Sequence, residues 1–216
     1  MDAEAEKREA AEAAVALVED GMAVGLGTGS TVNLMLAALA ARKLSIRCIA
    51  TSVRTEVAAR ELGLPVEPFD DLDELDLVID GADQIAADGW IVKGGGGAHT
   101  REKIAAAAAD RLVIIASSDK LVERVHAPIP LELLRFGCAS TLRRLAPVKL
   151  RDVPPSPDGN LIADYFGEVG DPRALSARFD FEPGIVDHGI FPPEIVTDVF
   201  VGAKHTPGGP RRRPRD

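Results

Sequence analysis

From Met22 to Ala116, short apolar runs alternate with stretches whose apolar residues recur at helical spacing. "MAVGLG" reads as a buried strand, and Thr31 to Arg42 as the helix that follows it. "IRCIAT" predicts a second strand, and "VRTEVAARELG" a helix that stops at Gly63, a usual C-terminal glycine. "LDLVID", "IVK" and "RLVIIAS" predict three more strands, with the helix "REKIAAAAAD" before the last. Strands that alternate with helices bury both faces of a parallel sheet. The pattern therefore predicts an α/β fold, Rossmann-like, with a mostly parallel sheet and helices on both faces.

After Pro128 the rhythm changes. "PIPLELL", "GCASTLRRLA", "VKLRDV", "NLIADYFGE", "DPRALSARF" and "GIVDHGIF" read as strand, helix, strand, strand, helix, strand. That order is the ferredoxin-like split unit. Asp171 followed by Pro172 marks a helix start, and "SPDGN" a hairpin turn. "TDVFVG" then supplies one more strand, which can rejoin the first sheet. The expected division is a catalytic α/β domain over 1–126 and 198–204, with a small inserted α+β domain over 127–197. The Pro-, Gly- and Arg-rich residues 205–216 are expected to be a disordered tail.

Composition narrows the function. The 216 residues are 46% hydrophobic and 27% charged, which suits a folded globular chain. A net charge of −9 argues against nucleic acid or an anionic membrane as a partner. Lysine is scarce, seven against eighteen arginines, which draws attention to Lys7, Lys93 and Lys120 beside loop signatures. The N-terminus is an acidic, Ala-rich amphipathic helix rather than a signal peptide, and no apolar run approaches the ~20 residues of a membrane span. Cys48 and Cys138 have no metal spacing and suit a reducing compartment, so a cytoplasmic protein is expected.

In parallel sheets, ligands bind beyond the carboxyl ends of the strands, which directs attention to "GLGTGST", "TSVRT", "DGADQ", "KGGGGAH" and "SSDK". The first is a strand, a tight glycine turn and a helix, which is a ready anion site. A dinucleotide fingerprint would need glycine where Ser30 stands and an acid where Thr51 and Ser52 stand. A P-loop would need a Gly-Lys-Ser/Thr. A phosphate held by Thr28, Gly29, Ser30 and Thr31 fits; so does a plain turn in which Ser30 or Thr31 caps the helix. Asp80 and Asp83 follow an apolar strand and could hold sugar hydroxyls or pass protons, or else serve as a turn and a cap. The glycines at 94–97 let successive N–H groups converge on one point, and Lys93 adds a positive charge there. Such a loop stabilises a developing oxyanion. With Thr100 as N-cap, a capping box would want its acid at Lys103, so Glu102 is not accounted for as a cap partner. No metal cluster and no cofactor are expected.

"GLGTGST", "DGAD", "KGGG" with "TREK", and "SSDK", in this order and spacing, resemble the type A ribose-5-phosphate isomerase family. The resemblance runs from about the first helix to the last strand. It implies an aldose–ketose isomerase of the pentose phosphate pathway that acts on a small phosphosugar. It implies Glu102 as the proton-transferring base. Substrate loops would fall on Thr28 to Thr31, on Asp80, Gly81, Ala82 and Asp83, and on Lys93, Gly94, Gly95 and Gly96. Lys120 and Lys7 would be further contacts. A homodimer or homotetramer is expected. Gln84, Gly97 and His99 depart from the residues common in the family. The alternative function is a phosphosugar-sensing regulatory domain without catalysis, which would have no use for the Glu102 and Lys93 pair. A nicotinamide-dependent oxidoreductase fails on Ser30 and the missing acid.

Overall fold

A computed structural model describes residues 2–72 and 74–209. The first half alternates as the apolar pattern predicts: α1 (Ala3–Val15), β1 (Ala23–Leu26), α2 (Ser30–Ala41), β2 (Arg47–Ala50), α3 (Val53–Glu61) and β3 (Leu77–Gly81). Next come β4 (Gln84–Ala86), β5 (Ile91–Val92), α4 (His99–Ala108), β6 (Leu112–Ala116) and β7 (Leu121–Val122). The second half runs β8 (Ile129–Leu133), α5 (Cys138–Leu145), β9 (Val148–Leu150), β10 (Leu161–Tyr165), α6 (Pro172–Asp180) and β11 (Ile185–His188). It closes with β12 (Ile190–Phe191), β13 (Asp198–Val201) and β14 (Lys204–Pro207).

Contacts divide the chain into two units. The first holds the segments up to Ala82, Arg101–Leu121, and the chain from Pro193 on. Its six-stranded sheet has the order β14-β13-β6-β3-β1-β2, parallel except for β14. β1 lies between β2 and β3, so the winding reverses there, and the crevice beyond β1 and β3 is where such sheets take ligands. All five residues of β6 are buried, as expected of a strand covered on both faces. The core joins Val24, Leu26, Ile79 and Ile115 of the sheet to Ala10, Ala14, Met35 and Leu36 of the helices. Each such large aliphatic side chain contributes about 1.5–3 kcal/mol by leaving water.

The second unit holds Asp83–Thr100 and Val122–Pro192. Its four-stranded sheet, β11-β8-β10-β9, is antiparallel and follows the split-unit order. One face, with Ile129, Leu131, Leu133, Ala163 and Tyr165, packs with Leu145, Leu175 and Phe179 from the helices. A short antiparallel ladder, β12-β5-β4, accompanies it. The segment 83–100, which the sequence pattern assigns to the larger domain, thus packs with the small one.

One expectation fails at the C-terminus. Residues 205–207 are not part of a structureless tail; with Lys204 they form β14 against β13. Gly202 turns the chain with φ +56, the His205 ring stacks on Phe200 at 4.5 Å, and His205 Nε2 lies 2.9 Å from Asp198 Oδ1. Pro and Gly dominate the composition here, and the pairing depends on a partner strand that composition does not reveal. The expectation of disorder for residues 210–216 lies outside the described residues.

Candidate active site

In the first unit Thr28 and Asp80 meet where β1 and β3 end. The Asp80 carboxylate is fully buried, and its Oδ1 accepts the N–H of Thr28 at 3.1 Å and that of Gly81 at 2.7 Å. Gly27 makes this approach possible, since a β-carbon there would overlap the Asp80 carboxylate. Asp80 therefore ties the "GLGTGST" turn to the "DGAD" turn, a task across 52 residues that neither motif reveals. Gly81 ends β3, and Ala82 follows it half-buried.

Neither Ser30 nor Thr31 caps α2. The N-cap is Gly29, at φ 144, and no side chain bonds the helix start. Ser30 is exposed and Thr31 buried within the first turn. The N–H groups and dipole of this helix start are the anion-attracting feature expected of the loop. Thr28 turns inward. Its Oγ1 lies 2.8 Å from Ser52 Oγ, 3.0 Å from Thr51 Oγ1 and 3.2 Å from Thr55 Oγ1. Thr55 Oγ1 in turn donates to the Gly27 carbonyl at 2.8 Å. The sequence pattern marks "TSVRT" only as a loop beyond a strand and as the absence of an acid; its three hydroxyls are the signal for this cluster.

Lys120 ends the 3-10 turn Ser118–Lys120, with its ammonium 3.0 Å from Asp119. That turn is held by Glu6 of α1, which accepts the Ser118 N–H at 2.6 Å and its hydroxyl at 3.0 Å. The neighbouring Lys7 lies 3.9 Å from Glu4. The backbone N–H and then the hydroxyl of Ser118 hold the Glu6 carboxyl below its ordinary value of 4.5. A carboxylate depressed by folding contributes stability above its unfolded pKa and loses it as the pH falls through the folded one. Glu6→Gln should therefore lower the urea midpoint at pH 7, and the gap to wild type should close below about pH 4.5. A gap that persists unchanged at pH 3 would contradict this.

In the second unit, Asp83 is exposed and its Oδ2 accepts the Gly95 N–H at 2.7 Å. The Gly97 N–H donates to the Gly94 carbonyl at 3.0 Å. The glycine N–H groups therefore do not all converge on one point: these two are engaged within the loop, because Asp83 and the turn itself compete for them. Gly94, at φ +110, lies against the buried His99 and Pro130, and an added β-carbon would meet them at 2.7 and 2.8 Å. His99 thus covers the loop. Lys93 is buried, with its ammonium 5.7 Å from the Phe191 ring centroid. Gln84 uses both ends of its amide on His126, donating to the carbonyl at 2.8 Å and accepting the N–H at 2.9 Å. A glutamate could serve only the second of these.

Thr100 is not an N-cap, because α4 begins at His99. Its hydroxyl donates to the buried Glu132 at 2.5 Å, and Glu132 also accepts from Ser156 at 2.6 Å and Asn160 at 2.8 Å. Glu102 follows in the first turn of α4, buried at 3% exposure. The alanines behind it at 105, 106 and 109 are also buried. Among the described residues no group of three or more His, Cys, Asp or Glu could hold a metal ion, and no helix is long and apolar enough to cross a membrane.

A family profile described as ribose 5-phosphate isomerase A (phosphoriboisomerase A) matches residues 47–206. The ribose-5-phosphate isomerase A of Roseiflexus castenholzii is 46% identical over 208 residues, covering 88% of this chain and 89% of its own. The solved ribose 5-phosphate isomerase A from Methanocaldococcus jannaschii matches with a TM-score of 0.88 at 32% identity, over 94% of this chain and 99% of that one. A D-ribose-5-phosphate isomerase in complex with phospho-erythronic acid matches with a TM-score of 0.90 at 29% identity, over 96% and 100%.

Proposed function

The chain belongs to the ribose 5-phosphate isomerase A family, and on that premise we propose that it interconverts D-ribose 5-phosphate and D-ribulose 5-phosphate. The reaction is an aldose–ketose isomerisation of the pentose phosphate pathway. It moves one proton from C2 to C1 and one from the O2 hydroxyl to O1, through an enediolate. Glu102 takes the C2 proton and returns it to C1. Its burial in the first turn of a helix is the observation that carries this reading.

The other groups follow from their surroundings. Lys93 and the Gly96 N–H stabilise the negative charge on the enediolate. Asp83, exposed at the loop, assists ring opening and holds hydroxyls. Asp80, with two amides on one oxygen, holds the turns in place. The start of α2 at Thr28, Gly29, Ser30 and Thr31 binds the phosphate, with Lys120 and Lys7 as further cations. No cofactor takes part. A phosphorylated four-carbon acid carries its carboxylate where the enediolate carries charge, so phospho-erythronic acid should inhibit this enzyme.

A cytoplasmic location fits two free thiols, Cys48 and Cys138. Burial, then the Glu67 carboxylate, pushes the Cys48 thiol up to about 12, which leaves it inert. An assembly of two or four copies completes the reading. The test is incubation with ribose 5-phosphate in deuterated water. Ribulose 5-phosphate that carries solvent deuterium supports the isomerase. Tight binding without turnover would replace it with a phosphosugar sensor.

A further inference from the structure

The small sheet has two chemically different faces. Residues directly opposed in the antiparallel β8–β10 ladder share a face, and successive residues alternate. Pro130 opposes Asp164 and Glu132 opposes Ile162, so these four share the face opposite the apolar core. The glycine loop rests on it: a β-carbon on Gly94 would meet Pro130, and one on Gly97 would meet Ile162 at 3.2 Å. Arg151 completes this face. It follows β9, and its N–H extends the ladder to the Ile162 carbonyl at 2.9 Å.

The Arg151 guanidinium is held by a fork. Nε and Nη2 lie 2.8 and 2.6 Å from the two oxygens of Asp164. Both side chains are largely covered, at 18% and 17% exposure. Two planar groups joined this way leave Nη1 only one direction to point. It points at the loop, 2.9 Å from the Gly94 carbonyl and 3.1 Å from that of Gly95.

Two carbonyls aimed at one cation define two peptide planes. In a trans peptide the C=O and the following N–H point in opposite directions. With the Gly94 carbonyl on Arg151, the Gly95 N–H faces away, and there it meets Asp83. With the Gly95 carbonyl on Arg151, the Gly96 N–H also faces away from the guanidinium. Gly96 is exposed, so that amide is presented to the loop's open side. Glycine peptides resist flipping weakly, having no β-carbon to oppose it. A flip between Gly95 and Gly96 would put a carbonyl oxygen where the enediolate carries negative charge, turning attraction into repulsion.

We propose that Arg151, fixed by Asp164, is a positioning residue that sets the peptide planes of Gly94 and Gly95 and so aims the Gly96 N–H at the developing oxyanion. The inference rests on the isomerase reading. Asp164 neutralises Arg151, which touches carbonyls and not substrate. Its effect should appear in the transition state and not in phosphate binding.

The test compares Arg151→Met, Arg151→Lys and Arg151→Ala with wild type, measuring kcat, KM, and inhibition by phospho-erythronic acid and by inorganic phosphate. Losing one oxyanion donor costs up to ~10²–10³-fold in kcat. Arg151→Met should lower kcat by about 10–100-fold, with KM within about threefold. Phospho-erythronic acid should weaken in proportion, and inorganic phosphate should bind as before. Arg151→Lys, which can reach a carbonyl, should fall between the two. Arg151→Ala should regain part of its kcat in added guanidinium.

A folded Arg151→Met enzyme with kcat within about threefold of wild type would overturn the proposal. So would equal weakening of both inhibitors, or a kcat loss that matches the unfolded fraction and ignores guanidinium. If Arg151→Met does not fold, Arg151→Lys decides: a wild-type kcat overturns the proposal, and a reduced kcat with selective loss of phospho-erythronic acid supports it. A wild-type protein that fails to isomerise ribose 5-phosphate would sink the isomerase reading itself. An active wild type beside an equally active Arg151→Met enzyme would sink only the peptide-plane assignment.

Discussion

Glu102→Gln lowers kcat by ~10²–10⁴-fold and leaves KM and the urea midpoint close to wild type. A positioned general base contributes about that factor, roughly 3–5 kcal/mol of barrier. Glutamine keeps the shape and one acceptor oxygen but cannot take the C2 proton. The competing account makes Glu102 an acid in the first turn of α4, stabilising the helix dipole. It would cost a few tenths to ~1 kcal/mol of stability and leave turnover nearly intact. The two accounts move different observables, so one kinetic measurement beside one denaturation curve separates them. Glu56→Gln is the control. Glu56 lies on α3, 2.7 Å from Arg60 on the next turn, and its loss should not alter kcat. Near-normal turnover by folded Glu102→Gln enzyme would end the mechanism.

Unphosphorylated ribose is turned over with a kcat/KM at least ~10³-fold below that of ribose 5-phosphate. Hydrogen bonds to a charged group contribute about 1.5–3 kcal/mol each, so three to the phosphate give that factor or more. The groups in question are the uncapped start of α2 at Ser30 and Thr31 and the ammonium of Lys120. The phosphate lies away from the reacting carbons. Its binding energy is spent on holding C1 and C2 in place, so kcat should suffer as well as KM. Comparable specificity constants for the two sugars would remove these residues from their assigned role.

Much of the unit that carries Asp80, Glu102 and Lys120 is legible along the chain because its information is local. A strand covered on both faces must be apolar throughout, as "LVIIA" is, and a helix that ends in a left-handed turn needs its glycine, as Gly63 provides at φ +80. The small domain follows the same logic, from the Asp171–Pro172 helix start to the turn before β10. The glycine turns, Glu102 and Lys93 stand out because their residue types are costly or unusual where they occur.

What the tertiary structure alone decided is which of these groups meet. Asp80 turns from a free acid into a clamp because the β1–β3 register sets it against Thr28. The Gly95 N–H leaves the expected nest because Asp83, twelve residues earlier, reaches it first. Thr100 gives up the capping role to bond Glu132, and Lys204–Pro207 becomes a strand because β13 offers an edge. Arg151 and Asp164 carry no motif at all; their place on the glycine loop comes from the antiparallel pairing of β9 with β10. Sequence determines which residues can do chemistry, since that depends on side-chain type and local backbone. Which partner each one finds depends on strand register and on loops that return from far along the chain, and no local pattern encodes either.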